Sequence, residues 1–102
     1  MQTTPRRLVT IIAEALLEDR LLQELQELGA SGYTVTRASG RGTRGVRASE
    51  WEGSNVRIEV LVGVDVADLI LSHLATHYFE LYAVVAYVQT VEVVRGEKYG
   101  LS

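Results

Sequence analysis

The spacing of apolar residues switches between two periods along this chain, and the order of the switches leaves few folds open. Leu-Val-Thr-Ile-Ile-Ala, residues Leu8 to Ala13, is apolar and β-branched on both faces, the signature of a strand covered on two sides. Ala13, Leu16, Leu17, Leu21, Leu25 and Leu28 then recur at intervals of three and four, with Glu14, Glu18, Gln23, Glu24 and Glu27 between them. That spacing predicts an amphipathic helix closed by Gly29. Tyr33 to Ala38 alternates as a second strand. In a third, Val56, Ile58, Val60 and Val62 share one face, with Arg57, Glu59 and Leu61 on the other. Asp65 is expected to cap a second helix with Val66, Leu69, Ile70, Leu74 and Tyr78 inward, and a long strand from Ala83 to about Val94 ends the pattern.

The order β-α-β-β-α-β predicts one α+β domain over residues 1–102 of the split βαβ, or ferredoxin-like, kind. It has a four-stranded antiparallel sheet with both helices on one face, so the other face lacks a cover. The first strand is apolar on both sides, and in the last strand Val84, Ala86 and Val88 alternate with Val85 and Tyr87. An apolar second face needs a partner, and a homo-oligomer built on the sheet is expected.

Between Gly40 and Ser54 no period survives, and a stretch of this length inside a compact domain is usually functional or mobile. Arg37, Arg41, Arg44 and Arg47 are four of only ten Lys/Arg residues in a chain of net charge −3, and Gly40, Gly42 and Gly45 lie among them. Glycines admit backbone N–H groups close to a ligand, and guanidinium forks suit bidentate contact with phosphate oxygens. An oligophosphate uses both features; a solvated loop kept soluble by arginine uses neither, and the composition fits either reading. The spelling G-x-G-x-x-G across residues 40–45 is no dinucleotide fingerprint, because it follows the second strand and leads into another strand rather than a helix.

Other chemistries have less support. The absence of Cys removes disulfides, thiolate metal sites and a Cys nucleophile. His73 and His77 have the i, i+4 spacing of a metal pair but no obvious third ligand, and the last turn of a helix favours His electrostatically. Glu14 and the acidic face behind it read as a solvated helix flank. No catalytic constellation is evident, and the negative charge and ring-free third strand argue against a nucleic-acid partner. The apolar run at Leu8–Ala13 is too short for a signal core or a membrane span, so a cytoplasmic address is expected. Trp51 reads equally as a partner anchor or as a ring packed on its own subunit.

The run Gly29-Ala30-Ser31-Gly32-Tyr33-Thr34-Val35, followed by Gly40-Arg41-Gly42-Thr43-Arg44-Gly45-Val46-Arg47, resembles the PII-like signalling proteins, specifically the SbtB type that accompanies bicarbonate transporters. Tyr78-Phe79-Glu80-Leu81-Tyr82-Ala83-Val84-Val85-Ala86-Tyr87-Val88 is similar to the same family's approach to its last strand. The resemblance implies a homotrimer that binds adenine nucleotides (ATP, ADP, AMP and cyclic AMP) as effectors in clefts between subunits. The segment from about 40 to 54 corresponds to the family's T-loop. By the same resemblance Arg44 and Arg47 hold phosphates beside Gly42, Thr43 and Gly45, with Ca or Mg bridging those of ATP. Tyr33, Thr34 and the stretch Tyr82, Ala83, Val84, Val85 and Tyr87 line the adenosine end, while Arg41 and Trp51 belong to the partner-binding loop. The implied partner is a sodium-dependent bicarbonate transporter of the SbtA type, met at the inner face of the plasma membrane. A non-enzymatic sensor is the resulting expectation. A slow nucleotide phosphohydrolase using the same cleft and a carboxysome-associated PII-like sensor are the alternatives.

Overall fold

A computed structural model of the chain describes residues 1–39 and 54–95. Its elements are β1 (Thr4–Glu14), a 3-10 turn (Ala15–Leu17), α1 (Glu18–Leu28), β2 (Thr34–Ala38), β3 (Asn55–Val62), α2 (Val64–His77) and β4 (Val85–Val93). The strands form one antiparallel sheet in the order β2-β3-β1-β4, the arrangement expected from the sequence.

Strand alternation places Val9, Ile11 and Ala13 of β1 on the same face as Val56, Ile58, Val60 and Val62 of β3. All seven are buried, together with Leu17, Leu21 and Leu25 from the first helical segment and Ala67, Ile70, Leu74 and Tyr78 from the second. This single cluster is the core, and both helices cover the same side of the sheet. None of the described helices is long and apolar enough to cross a membrane.

Several local expectations need correction. β1 begins at Thr4 rather than Leu8, because β4 pairs with it from Thr4↔Val93 onward and supplies backbone partners that apolarity alone does not reveal. Pro5 fits there because β3 reaches β1 only from Arg7, leaving one side of Pro5 without a ladder to break. Ala13 and Glu14 belong to the strand, and α1 starts at Glu18 after the 3-10 turn. A 3-10 turn has three residues per turn, so it shifts the helical phase, and Leu16, expected inward, is 74% exposed.

Asp65 caps nothing. Gly63 is the N-cap of α2, no side chain caps the helix, and Asp65 stands in its first turn where the helix dipole favours a carboxylate. Leu69, expected inward, is 53% exposed, and Ala67 takes its place in the core. β2 starts at Thr34 and β4 at Val85, one and two residues later than their patterns suggest.

Gly29 ends α1 as expected. It has φ +116°, its N–H donates to the Gln26 carbonyl, and the next N–H, from Ala30, reaches back to Leu25. A left-handed residue closing two carbonyls in this way requires a glycine or costs strain.

Candidate functional site

The candidate residues fall into three groups. Tyr33 and Thr34 stand where the chain enters β2, both exposed. With Leu8, Ser31, Gly32, Glu59 and Leu61 they line a concavity of about 520 Å³ on the uncovered face of the sheet. Glu59 is held there by Arg57, whose Nε lies 3.7 Å from its carboxylate, and by pairing opposite Thr34 on one side and Thr10 on the other.

The second group sits at the opposite edge of the sheet, leading into β4. α2 gives way to a turn in which the Tyr78 carbonyl accepts the N–H groups of Leu81, at 3.0 Å, and Tyr82, at 2.9 Å; Val84 N–H then bonds the Tyr82 carbonyl at 3.0 Å. Tyr82, Ala83 and Val84 are half-buried, whereas Val85 and Tyr87 are exposed on β4. The third group, Arg41, Gly42, Thr43, Arg44, Gly45, Arg47 and Trp51, lies outside the described residues.

One row across the uncovered face relates the first two groups. Thr34 pairs with Glu59, Glu59 with Thr10, and Thr10 with Tyr87, so Thr34 and Tyr87 are separated by two intervening strands. Three interstrand steps amount to about 14 Å. A single copy of the chain therefore does not bring the two groups together.

The same face carries a second sign of incompleteness. Among the described residues, the buried side-chain atoms without a hydrogen-bond partner are Arg6 Nε and Thr10 Oγ1. Alternation puts both on the uncovered face, beside half-buried Leu8 and Ile12 and exposed Val85 and Tyr87.

A polar cluster that sequence reasoning missed ties α1 to the end of α2. Tyr78 donates its hydroxyl to Glu24 Oε1 at 2.5 Å, and His73 Nε2 lies 2.8 Å from the same oxygen. Because an ionised carboxylate only accepts, the proton of that second bond belongs to the imidazole. Arg20 Nε meets Glu24 Oε2 at 3.3 Å, and its Nη1 donates to the Tyr82 hydroxyl at 3.2 Å. The Arg20 guanidinium also lies over the rings of Tyr78 and Tyr82, 4.7 and 5.7 Å from their centres. The rings of His73 and His77 lie against each other at a tilt of 47°, with centres 4.6 Å apart. Among the described residues no three His, Cys, Asp or Glu side chains converge as metal ligands.

Electrostatics follow from these contacts. Burial works to raise the Glu24 carboxyl, but the hydrogen bonds from Tyr78, His73 and Arg20 outweigh it and hold the group below the usual carboxylate range. Burial, reinforced by the bond to Glu24, pushes the Tyr78 hydroxyl well above the ordinary tyrosine range. Hydrogen bonds to Tyr82 and then Glu24 raise the Arg20 guanidinium. Arg20 and Glu24 have the i, i+4 spacing of a helix pair, which the sequence displays; nothing local indicates that residues about fifty positions later complete the cluster.

The sequence model described as Nitrogen regulatory protein P-II matches residues 6–98. The chain belongs to the P-II family. Among solved structures, a PII-like signaling protein of Thermus thermophilus is 52% identical, with a TM-score of 0.84 over 97% of this chain and 99% of that one. CPII from Thiomonas intermedia, bound to ADP, AMP and acetate, shares the fold at 22% identity, with a TM-score of 0.86 over 98% of this chain and 99% of that one. CPII bound to ADP and bicarbonate is 23% identical, with a TM-score of 0.83 over 96% and 97% of the two chains. In this P-II chain, the turn at residues 78–84 and the entry to β2 lie at opposite edges of the sheet.

Proposed function

We propose that this P-II chain is an adenine-nucleotide sensor that works as a homotrimer and binds its ligand between neighbouring subunits. The observation that carries the reading is the separation of the two candidate groups across the sheet, in a chain whose family match spans residues 6–98. A ligand that needs Tyr33 and Thr34 as well as Tyr82–Tyr87 takes them from different copies. The unpartnered Thr10 hydroxyl and the exposed apolar side chains of β4 support a second copy on the uncovered face. The ADP and AMP bound in CPII support the ligand class.

In this reading Arg44 and Arg47, with Gly42, Thr43 and Gly45, hold the phosphates, and a divalent cation accompanies ATP. Tyr33, Thr34, Tyr82, Ala83, Val84, Val85 and Tyr87 line the nucleoside end. Each Arg–phosphate bond contributes roughly 1.5–3 kcal/mol net, while ordering a loop costs ~1–2 kcal/mol per residue fixed. Ligands whose phosphates reach further therefore make more of these bonds and set how a partner is met. ATP, ADP, AMP and cyclic AMP are the effectors in this scheme, and the protein signals by binding rather than by turnover. Its partner is a sodium-dependent bicarbonate transporter at the cytoplasmic face of the membrane, as for the SbtB type.

Calorimetric titration with ATP, ADP, AMP, cyclic AMP and adenosine, on protein of measured mass, tests the reading. The expected result is a species of about 34 kDa, three chains of 11.3 kDa, binding the phosphorylated ligands and binding adenosine much more weakly. Arg47→Ala weakens every phosphorylated ligand. A folded trimer that binds none of them overturns the nucleotide site.

A further inference from the structure

We propose that Arg20 and Glu24, on the outside of the subunit, are positioning residues that fix the segment Tyr82–Val85 and thereby set affinity at the nucleoside end of the cleft. The proposal rests on the reading of Tyr82–Val85 as part of that cleft, and it assigns control of those residues to α1.

The segment has few backbone restraints of its own, although Tyr82 and Val84 pack against the core. After Tyr78 the chain makes one tight turn about the Tyr78 carbonyl and a second, i to i+2, at Tyr82, and β4 pairing begins only at Val85. Leu81, at the tip, is 76% exposed. Side-chain contacts supply the remaining restraint. The Tyr82 ring lies 5.6 Å from that of Tyr78, and Arg20 covers both rings while its Nη1 donates to the Tyr82 hydroxyl.

Arg20 is aimed in turn by Glu24, one helical turn further along, which binds its Nε through Oε2. The other oxygen of Glu24 is engaged by Tyr78 and His73, so the carboxylate spans from the arginine to α2. The chain of contacts runs α1 to Glu24 to Arg20 to Tyr82, parallel to the backbone route through Tyr78. Tyr78 is wholly buried and does not move without disturbing the core, whereas Tyr82 is half-buried and depends on the arginine for its hydroxyl partner.

This arrangement has a signature different from that of a phosphate-binding arginine. A change at Arg20 alters the base and ribose end, which every adenine ligand shares. It shifts affinities for ADP, AMP and adenosine by one common factor. Loss of Arg47 instead spares adenosine.

The test compares wild type, Arg20→Met, Arg20→Lys and Glu24→Gln as full-length chains, with calorimetry for ADP, AMP and adenosine and amide hydrogen exchange of the ligand-free protein. Arg20→Met keeps the aliphatic stem and removes the fork. The expected results are an affinity loss of about five- to tenfold, equal for the three ligands, and amide exchange at Tyr82 and Val84 faster by about tenfold, with core amides of β1 and β3 unchanged. Arg20→Lys recovers part of both, and Glu24→Gln shows a smaller loss of the same kind. Unchanged exchange at Tyr82 and Val84 overturns the proposal, as does an Arg20→Met affinity equal to that of a wild type that binds nucleotide. If wild type binds no adenine ligand, the nucleotide reading fails, and the exchange rates alone decide whether Arg20 holds the turn. Should Arg20→Met not fold, Tyr82→Phe keeps both rings and removes the Arg20 bond, and amide exchange at Tyr82 and Val84 reads it.

Discussion

The hydroxyl of Tyr78, a residue with no exposed surface, reaches Glu24 Oε1 at 2.5 Å and so links the hydrophobic core to a carboxylate at the surface of α1. A buried phenol needs a partner for its hydroxyl, and this one finds a charged partner rather than a backbone carbonyl.

Tyr78→Phe keeps the ring and removes that bond. The expected cost is about 1–2 kcal/mol, the low end for a bond to a charged group because Glu24 retains some contact with water. Urea unfolding at neutral pH measures it, and a midpoint equal to that of wild type would show that the bond contributes nothing.

Stability should depend on pH through the same pair. The Glu24 carboxyl is held below its unfolded value, so its contribution is complete above an unfolded pKa of about 4.3 and is lost as pH falls through the lower folded value. Tyr78 is raised, so its contribution is complete below about pH 10 and declines as pH rises above that. Melting temperatures of wild type and Glu24→Gln below pH 5 test the first limb, since the variant's acid slope should be shallower. Tyr78→Phe tests the alkaline limb.

Gly29→Ala is expected to destabilise the chain by about 1–2 kcal/mol, since a left-handed φ disfavours any Cβ. Here the added atom also falls 3.3 Å from Val66 Cγ2 on α2, so relief of the backbone strain competes with helix packing. Thermal unfolding reads the effect, and a variant as stable as wild type would remove Gly29 from the determinants of the α1 terminus.

Placing a charge on the uncovered face should dissociate the oligomer while leaving the subunit folded. Ile12 pairs with Arg57 and Val85 on that face and is half-buried in the single chain. Ile12→Asp is expected to lower the mass measured by light scattering from that of three chains to that of one. Retention of the larger mass would assign the interface to another surface.

Ile58→Ala removes a wholly buried side chain opposite Ile11 and should cost about 2–5 kcal/mol in denaturant unfolding. A loss below about 1 kcal/mol would mean that the sheet relaxes into the space, contrary to a core this closely surrounded.

β3 is the element most fully legible in the sequence, because its alternation of Val56, Ile58, Val60 and Val62 is local and matches a half-covered sheet. The start of α1 is legible only in part: the 3-10 turn at Ala15–Leu17 preserves hydrophobic composition while breaking helical phase, so Leu16 reads as core and is not. Strand limits at Thr4 and Val93 depend on a partner some ninety residues distant, which period alone does not encode. The site follows the same division. Tyr33 and Thr34 stand beside a concavity, but Leu8, Glu59 and Leu61 join them only through strand pairing, and the Arg20–Glu24–Tyr78–Tyr82 cluster forms only through helix packing.

The position of β1 between β3 and β4 sets the order in which the chain can mature. β1 pairs on one side with residues near 60 and on the other with residues near 90, all of them made after it. It must wait for those residues to leave the ribosome before either edge is satisfied, and the β4 edge can close only after β3 has emerged. Closing such distant contacts carries the loop entropy that slows folding of non-local topologies. A nascent chain stalled or truncated before Val85 would present β1 with a bare edge, a form that chaperones, proteases or other nascent copies would meet first.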